Sequence, residues 1–378
     1  MQKLYLVILI FLVGCSGSSE ESIKMGFKDT EILEIKRFTE ESKAKNVILV
    51  IGDGTGINQI TLSRMAIGGK DYRLAIDQMP IFGMSLTHSF NDIYTDSAAA
   101  ATAWSTGQKT KNRYLSIDSE KNKLESIPEK FFKKGYLTGI VATSSITHAT
   151  PAAFYAHIDS RYKEKEIANQ LLLSKINIAL GGGAKFFDLK NAAQTHVIID
   201  QKELLEFDFK EDKKILGLFD EDGIIRSVDK PSQKDMTNFA LKQLSMNESC
   251  NGFFLMSEAS QIDWAAHDND AKSMITEFKD FDNTIRELIN FVTKDMNTLL
   301  LITADHETGG LQIMNEKDNN IIIQWGTGRH TGIPVGVYAY GPGAHLFSGL
   351  MDNTDIHNKI LDAVDYANLE NSECRAYQ

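Results

Sequence analysis

A chain of 378 residues with 42% hydrophobic and 24% charged side chains carries enough apolar material for one large α/β core. Its net charge of −11 and the absence of a basic run argue against a nucleic-acid binder. An acidic balance does not exclude phosphate chemistry, because bound metal ions reverse the sign of charge locally.

Residues 1–14 hold one lysine followed by an apolar run at 4–13, too short to span a bilayer and of signal-peptide form. The run ends in Leu12-Val13-Gly14-Cys15, which resembles a bacterial lipobox and predicts cleavage before Cys15 with a lipid on its thiol. Ser16 to Ser22 reads as a flexible polar tether, and residues 27–45 as a short helix or irregular lead-in. The expected location is therefore the bacterial cell envelope, periplasm or outer membrane, with a membrane contact through the lipid. Export places Cys250 and Cys374 in an oxidising compartment, where they either pair or stay free.

Asn46-Val47-Ile48-Leu49-Val50-Ile51 is a continuous β-branched run, as expected for a strand buried on both faces. It leads through Gly52-Asp53-Gly54-Thr55-Gly56 into a helical pattern at 57–67, which puts Asp53 at the carboxyl edge of a sheet. The four alanines after Asp96-Ser97 predict a helix over 97–105 with Ser97 at its N-terminus, where unsatisfied N–H groups favour an anion. A helix at 126–134, a strand at 137–143 and a strand at 176–180 follow, the last running into Gly181-Gly182-Gly183. Residues 185–235 are weakly patterned and read as a small embellishment lying within 185–250. A strand at 252–257 opens a cluster over 257–267 that holds Glu258, Asp263 and His267, and a long amphipathic helix to about Val292 follows that cluster. A strand at 299–303 ends in Asp305-His306, a strand at 335–340 follows His330, and a helix at 354–366 closes the chain. No internal repeat is evident. The alternation predicts an α/β fold, a central mostly parallel sheet sandwiched between helices with a small insertion; residues 46–378 would form the catalytic domain.

Asp53, Glu258, Asp263, His267, Asp305, His306 and His330 all fall near predicted strand ends. Imidazole with carboxylate suits zinc, and an oxygen-rich portion suits magnesium. Asp263 and His267 are four apart and share a helical face, while Asp305 and His306 can reach one ion only where a strand turns into a loop.

These motifs, GDGTG at 52–56, TDSAAAATA at 95–103, HATPAA at 148–153, SEASQIDWAAH at 257–267, TADHETGG at 303–310 and GRHTG at 328–332, resemble those of the alkaline phosphatase family in order and over nearly the whole chain. The resemblance implies phosphate-monoester hydrolysis at alkaline pH through a phosphoserine on Ser97. It implies one zinc on Asp263, His267 and His330, and a second on Asp53, Asp305 and His306, joined by Ser97. Asp53 would also bridge to a third, magnesium-like site completed by Thr150 and Glu258. Arg161 corresponds to the arginine that grips two phosphoryl oxygens, a hold suited to a planar guanidinium. Two metals ~4 Å apart stabilise the attacking and leaving oxygens of an in-line displacement.

Two positions depart from the best-known bacterial pattern. His148 stands where an aspartate often sits near the third metal, which weakens the preference for magnesium and leaves that metal's identity open. Trp264 stands where a lysine often approaches phosphate, predicting quicker phosphate release. The short segment between His306 and His330 argues against a large inserted crown domain, and a homodimer stands as an expectation only. The competing readings are a phosphodiesterase or sulfatase of the same superfamily, and a non-catalytic lipoprotein that binds metal or phosphate.

Overall fold

The computed structural model describes residues 20–191, 195–207, 213–246 and 249–374. The predicted leader, Cys15 and the first tether residues lie outside that range. Ten strands form the central sheet in the spatial order Gly349–Asp352, Ile81–Leu86, Val335–Tyr340, Thr298–Thr303, Asn46–Gly52, Gly252–Ala259, Tyr136–Ser145, Ile178–Gly182, Lys214–Leu218, Thr195–Ile198. Val335–Tyr340 runs antiparallel to both its neighbours, and the other adjacent pairs are parallel. The fold is α/β, as the alternation of strands and helices requires.

Asn46–Gly52, Tyr136–Ser145, Gly252–Ala259 and Thr298–Thr303 are buried at every position, which explains their unbroken apolar runs. Successive residues feed opposite cores. Ile48 and Val50 pack on the side of Phe278, Phe281 and Ile285 from helix Ala271–Asp295. Val47, Leu49 and Ile51 pack on the side of Trp104, Phe131, Ile356 and Ile360. Full burial of each large side chain contributes roughly 1.5–3 kcal/mol, so these facing layers dominate the cohesion of the fold.

The structure bears out some of these expectations and corrects others. The helix Ser97–Thr106 is capped by Asp96, whose Oδ1 accepts from the N–H of Ala99 at 3.0 Å, and Ser97 is its first helical residue. The long helix follows the Asp263 cluster, as expected, over Ala271–Asp295. A separate helix, Gln261–His267, stops at Asn269, which adopts φ 55°, and Asp270 caps Ala271–Asp295 through the N–H groups of Lys272 and Ser273. The tether ends before Glu21, because Glu21–Lys24 pairs with Asn320–Gln324, itself paired with Gln312–Lys317, in a separate three-stranded sheet. Residues 27–45 form no helix, and Leu33 is buried among them. The weakly patterned stretch contributes the last two strands at one edge of the central sheet, Lys214–Leu218 and Thr195–Ile198, and helix Gln233–Ser245 packs on Tyr136–Ser145 and Gly252–Ala259. The strands Ile81–Leu86 and Gly349–Asp352 lay outside every predicted element. Cys250 and Cys374 form a disulfide, with Cα atoms 4.8 Å apart.

Candidate active site and metal centre

The carboxyl ends of four adjacent central strands deliver the site. Asp53 follows Asn46–Gly52, Glu258 lies in the last residues of Gly252–Ala259, Asp305 and His306 follow Thr298–Thr303, and His148 and Thr150 follow Tyr136–Ser145. Asp263 and His267 project from one face of helix Gln261–His267, and His330 lies on a two-residue strand, His330–Thr331, paired with Glu307–Thr308. Gly54, at φ +67°, is required in the turn beside Asp53: a Cβ there would stand 2.7 Å from Asp263 Oδ1.

Asp263, His267 and His330 offer ligand atoms that all lie within 4.8 Å of one another. His267 Nε2 is 3.3 Å from Asp263 Oδ2 and 3.0 Å from His330 Nε2. The Nδ1 of His267 faces the carbonyl of Gly328 at 2.9 Å, and that of His330 faces the carbonyl of Thr95 at 2.8 Å. Both rings therefore carry their proton on Nδ1 and turn Nε2 inward, the arrangement that metal-binding histidines need.

Asp53, Asp263 and His306 form a second such group. Asp263 thus reaches both groups, whereas Asp305, expected in the second, stands beside it with Oδ2 2.9 Å from His306 Nε2. Asp305 is held by the N–H groups of Gly54 and His306 on its Oδ1, at 3.0 and 2.9 Å. Asp263 accepts from the hydroxyl of Thr308, which also contacts His306 Nδ1 at 3.2 Å. The rings of His306 and His330 stack with centroids 3.4 Å apart, so the two groups adjoin.

The oxygen-rich portion holds Asp53, Thr150 and Glu258. Glu258 accepts from Ser260 Oγ at 2.7 Å, but its other oxygen, the Thr150 hydroxyl and both oxygens of Asp53 are buried without a partner. Asp305 Oδ2 and His306 Nε2, also buried, pair with each other at 2.9 Å. An unpaired buried polar atom is costly, and several converging in one place fit a bound cation. The electrostatics agree. Burial, then the charges of Asp305, Asp263 and Glu258, push the Asp53 carboxyl well up. Burial raises Glu258 to about 7 against the bond from Ser260. The hydrogen bond to Asp263 raises His267 to about 9, while burial and the charge of His306 lower His330 to about 4. The imidazole and carboxylate donors of the first two groups suit zinc, and the all-oxygen third set suits a harder ion.

Arg161 donates to Asp96 Oδ2 and approaches His148 Nε2, both at 3.1 Å. Burial and the Arg161 charge depress His148 to about 3, so it faces the guanidinium as a neutral acceptor. His148 meets the Trp264 ring edge-on with centroids 5.8 Å apart. Ser97, Arg161, His148, Asp263, Trp264, His267 and His330 line one cavity of about 760 Å³, which also has Arg113 and Arg329 on its wall. Asp96 was recognisable as a cap or first-turn residue, but sequence reasoning missed its hold on Arg161, and it missed Thr308, which bridges Asp263 and His306. Each lies inside a motif already singled out, and a polar residue adjoining a candidate ligand was the available signal.

Comparison with known proteins places this geometry. Residues 44–323 and 312–366 match the family described as alkaline phosphatase. The chain is 34% identical to alkaline phosphatase 3 of Bacillus subtilis strain 168, over 88% of its own length and 91% of that protein. It is similar to the structure of alkaline phosphatase from the Antarctic bacterium TAB5, with TM-score 0.76 and 33% identity, covering 86% of this chain and 98% of that one. A variant of that enzyme with a histidine replaced by aspartate, described with Mg bound in the M3 site, matches with TM-score 0.76 and 33% identity, covering 86% and 99% of the two chains.

Proposed function

This chain belongs to the alkaline phosphatase family and hydrolyses phosphate monoesters, and from that premise we propose the route by which its residues do so. Ser97 is the nucleophile. Its Oγ attacks phosphorus, the Ser97 O–P bond forms, and the alcohol departs as its own bond to phosphorus breaks. Water then attacks the phosphoserine, the Ser97 O–P bond breaks, and inorganic phosphate leaves with the serine restored. Ser97 at the first position of its helix has the helix's free N–H groups beside it, a favourable place for the phosphoryl charge.

Arg161 grips two phosphoryl oxygens with N–H groups not used on Asp96 and His148, and these two partners set the plane of its guanidinium. Asp263, His267 and His330 would hold one zinc. Asp53, Asp305 and His306, with Ser97, would hold a second, and Asp53, Thr150 and Glu258 a third, magnesium-like ion. When bound, these ions supply Lewis acidity that offsets charge on the attacking and leaving oxygens. The observation that carries this reading is the convergence of unpartnered buried ligand atoms on Asp53, Thr150 and Glu258, beside the buried Asp305–His306 pair. An alkaline optimum belongs to the same reading, because the attacking Ser97 oxygen works deprotonated.

The test is hydrolysis of a chromogenic phosphate monoester at alkaline pH, with and without chelator, for wild type and Ser97→Ala. Activity that needs metal and collapses in the variant supports the route; activity that survives either treatment removes it. We further propose that the chain is exported and lipid-anchored at Cys15, on the strength of the apolar run that stops at that cysteine. An unmodified N-terminus in the native protein's mass spectrum would contradict the anchor.

A further inference from the structure

Glu307 is buried to 4% exposure directly beside His306, yet its side chain turns away from the metal centre. Strand alternation explains this: His306 and Thr308 address the Asp263 side, and Glu307 addresses the back. There its two oxygens accept four hydrogen bonds. Gln59 Nε2 donates at 2.7 Å, the N–H groups of Gly310 and Leu311 at 3.2 Å each, and the hydroxyl of Thr331 completes the set. A carboxylate offers about four lone-pair sites, so this one is saturated. The same Gln59 amide donates to the carbonyl of Thr308 at 2.7 Å. Glu307 Cγ also fills the space over Gly56, where a Cβ would fall 2.4 Å away.

One side chain thus binds three elements: the helix Ile57–Gly68 that follows Asp53, the turn that carries His306, and the strand that carries His330. The strand pairing that joins the last two is only two residues long, with Glu307 opposite Thr331 and Thr308 opposite His330. So short a ladder cannot hold its register on backbone bonds alone. We infer that Glu307 is a positioning residue that fixes the spacing between the two histidine-bearing groups, an inference that rests on those groups holding metal ions. Partners behind metal ligands typically change metal affinity by about 10–100-fold when lost.

The test uses the zinc-loaded enzyme and two variants, Glu307→Gln and Thr331→Val. Glutamine keeps the shape but turns an NH2 group toward donors, and valine removes the link to the His330 strand alone. Zinc release into excess chromogenic chelator should quicken by about 10–100-fold in Glu307→Gln and by less in Thr331→Val. The visible spectrum of the cobalt-substituted enzyme should change in both, with kcat falling more than KM rises. A role confined to stability would lower the unfolding midpoint while leaving zinc release and the cobalt spectrum as in wild type, and that outcome overturns the inference. Should Glu307→Gln fail to fold, Thr331→Val decides by the same readouts. Wild type that takes up neither zinc nor cobalt would overturn the metal reading itself.

Discussion

Buried aspartates occupy two regions of this molecule under opposite terms. On helix Ala271–Asp295, Asp282 accepts from the backbone N–H groups of Ala75 and Ile76, both at 3.0 Å, and Asp280 accepts from Gln233 N and Arg226. At the carboxyl edge of the sheet, Asp53 is just as deeply buried, and neither of its oxygens has a partner. The helix acids are explained by the segments they fasten. Asp53 is explained only by something the chain itself does not provide. Whether a buried charge has protein partners therefore separates a structural acid from a functional one more sharply than burial does.

The strongest way to break this contrast is to neutralise one acid of each kind. Asp53→Asn should lower phosphomonoester turnover by roughly 10³-fold, and yet stabilise the metal-free protein by about 1–3 kcal/mol, because an uncompensated buried charge disappears. Urea unfolding of the metal-free variant checks the second half; a less stable variant would erase the distinction. Asp282→Ala should do the reverse. Stranding two buried N–H groups should cost about 2–4 kcal/mol in urea unfolding, with kcat unchanged.

Asp282 also gives the contrast a pH signature. Burial raises its carboxyl to about 6 from the usual 3.8, against the two backbone bonds. A raised acid takes up its proton first in the folded state, so this group adds stability as pH falls from 7 to 4, by roughly 2–3 kcal/mol. Stability measured across that range should lose this increment in Asp282→Asn. At the site, His148→Asp adds a carboxylate near the oxygen-rich group and should tighten magnesium binding by about tenfold, read by calorimetry. Trp264→Lys returns an ammonium to the cavity. It should strengthen inhibition by phosphate by roughly fivefold, or about 1 kcal/mol; unchanged or weaker inhibition would count against the role given to Trp264.

Legibility followed the range of the forces involved. The strand, turn and helix around Asp53, and the alanine helix behind Ser97, are local arrangements, and their residue patterns announce them. Ile81–Leu86 and Gly349–Asp352 were hidden because they lie at one side of the sheet, where burial alternates or nearly vanishes and each contains a glycine. The candidate ligands were identifiable from their motifs, and so was the grouping of Asp263 with His267 and His330, but the membership of Asp263 in the second group was not. That Asp263 stands within reach of both His330 and His306 depends on how a helix lands on the ends of two strands, and no sequence spacing encodes it. The double duty of Asp96 was hidden for a related reason, since its link to Arg161 spans 65 positions.

The strand Asn46–Gly52 has a history as well as a place. Its neighbours are Gly252–Ala259 and Thr298–Thr303, and Ile51 pairs with Thr303, 252 positions later. At 5–20 residues per second, a ribosome needs on the order of tens of seconds to make that stretch. Until residue 259 is made, this early, largely apolar strand has neither flank, and its open edges are a template for pairing with another chain. The sheet at the centre of the fold can therefore close around this strand only once residue 303 is available.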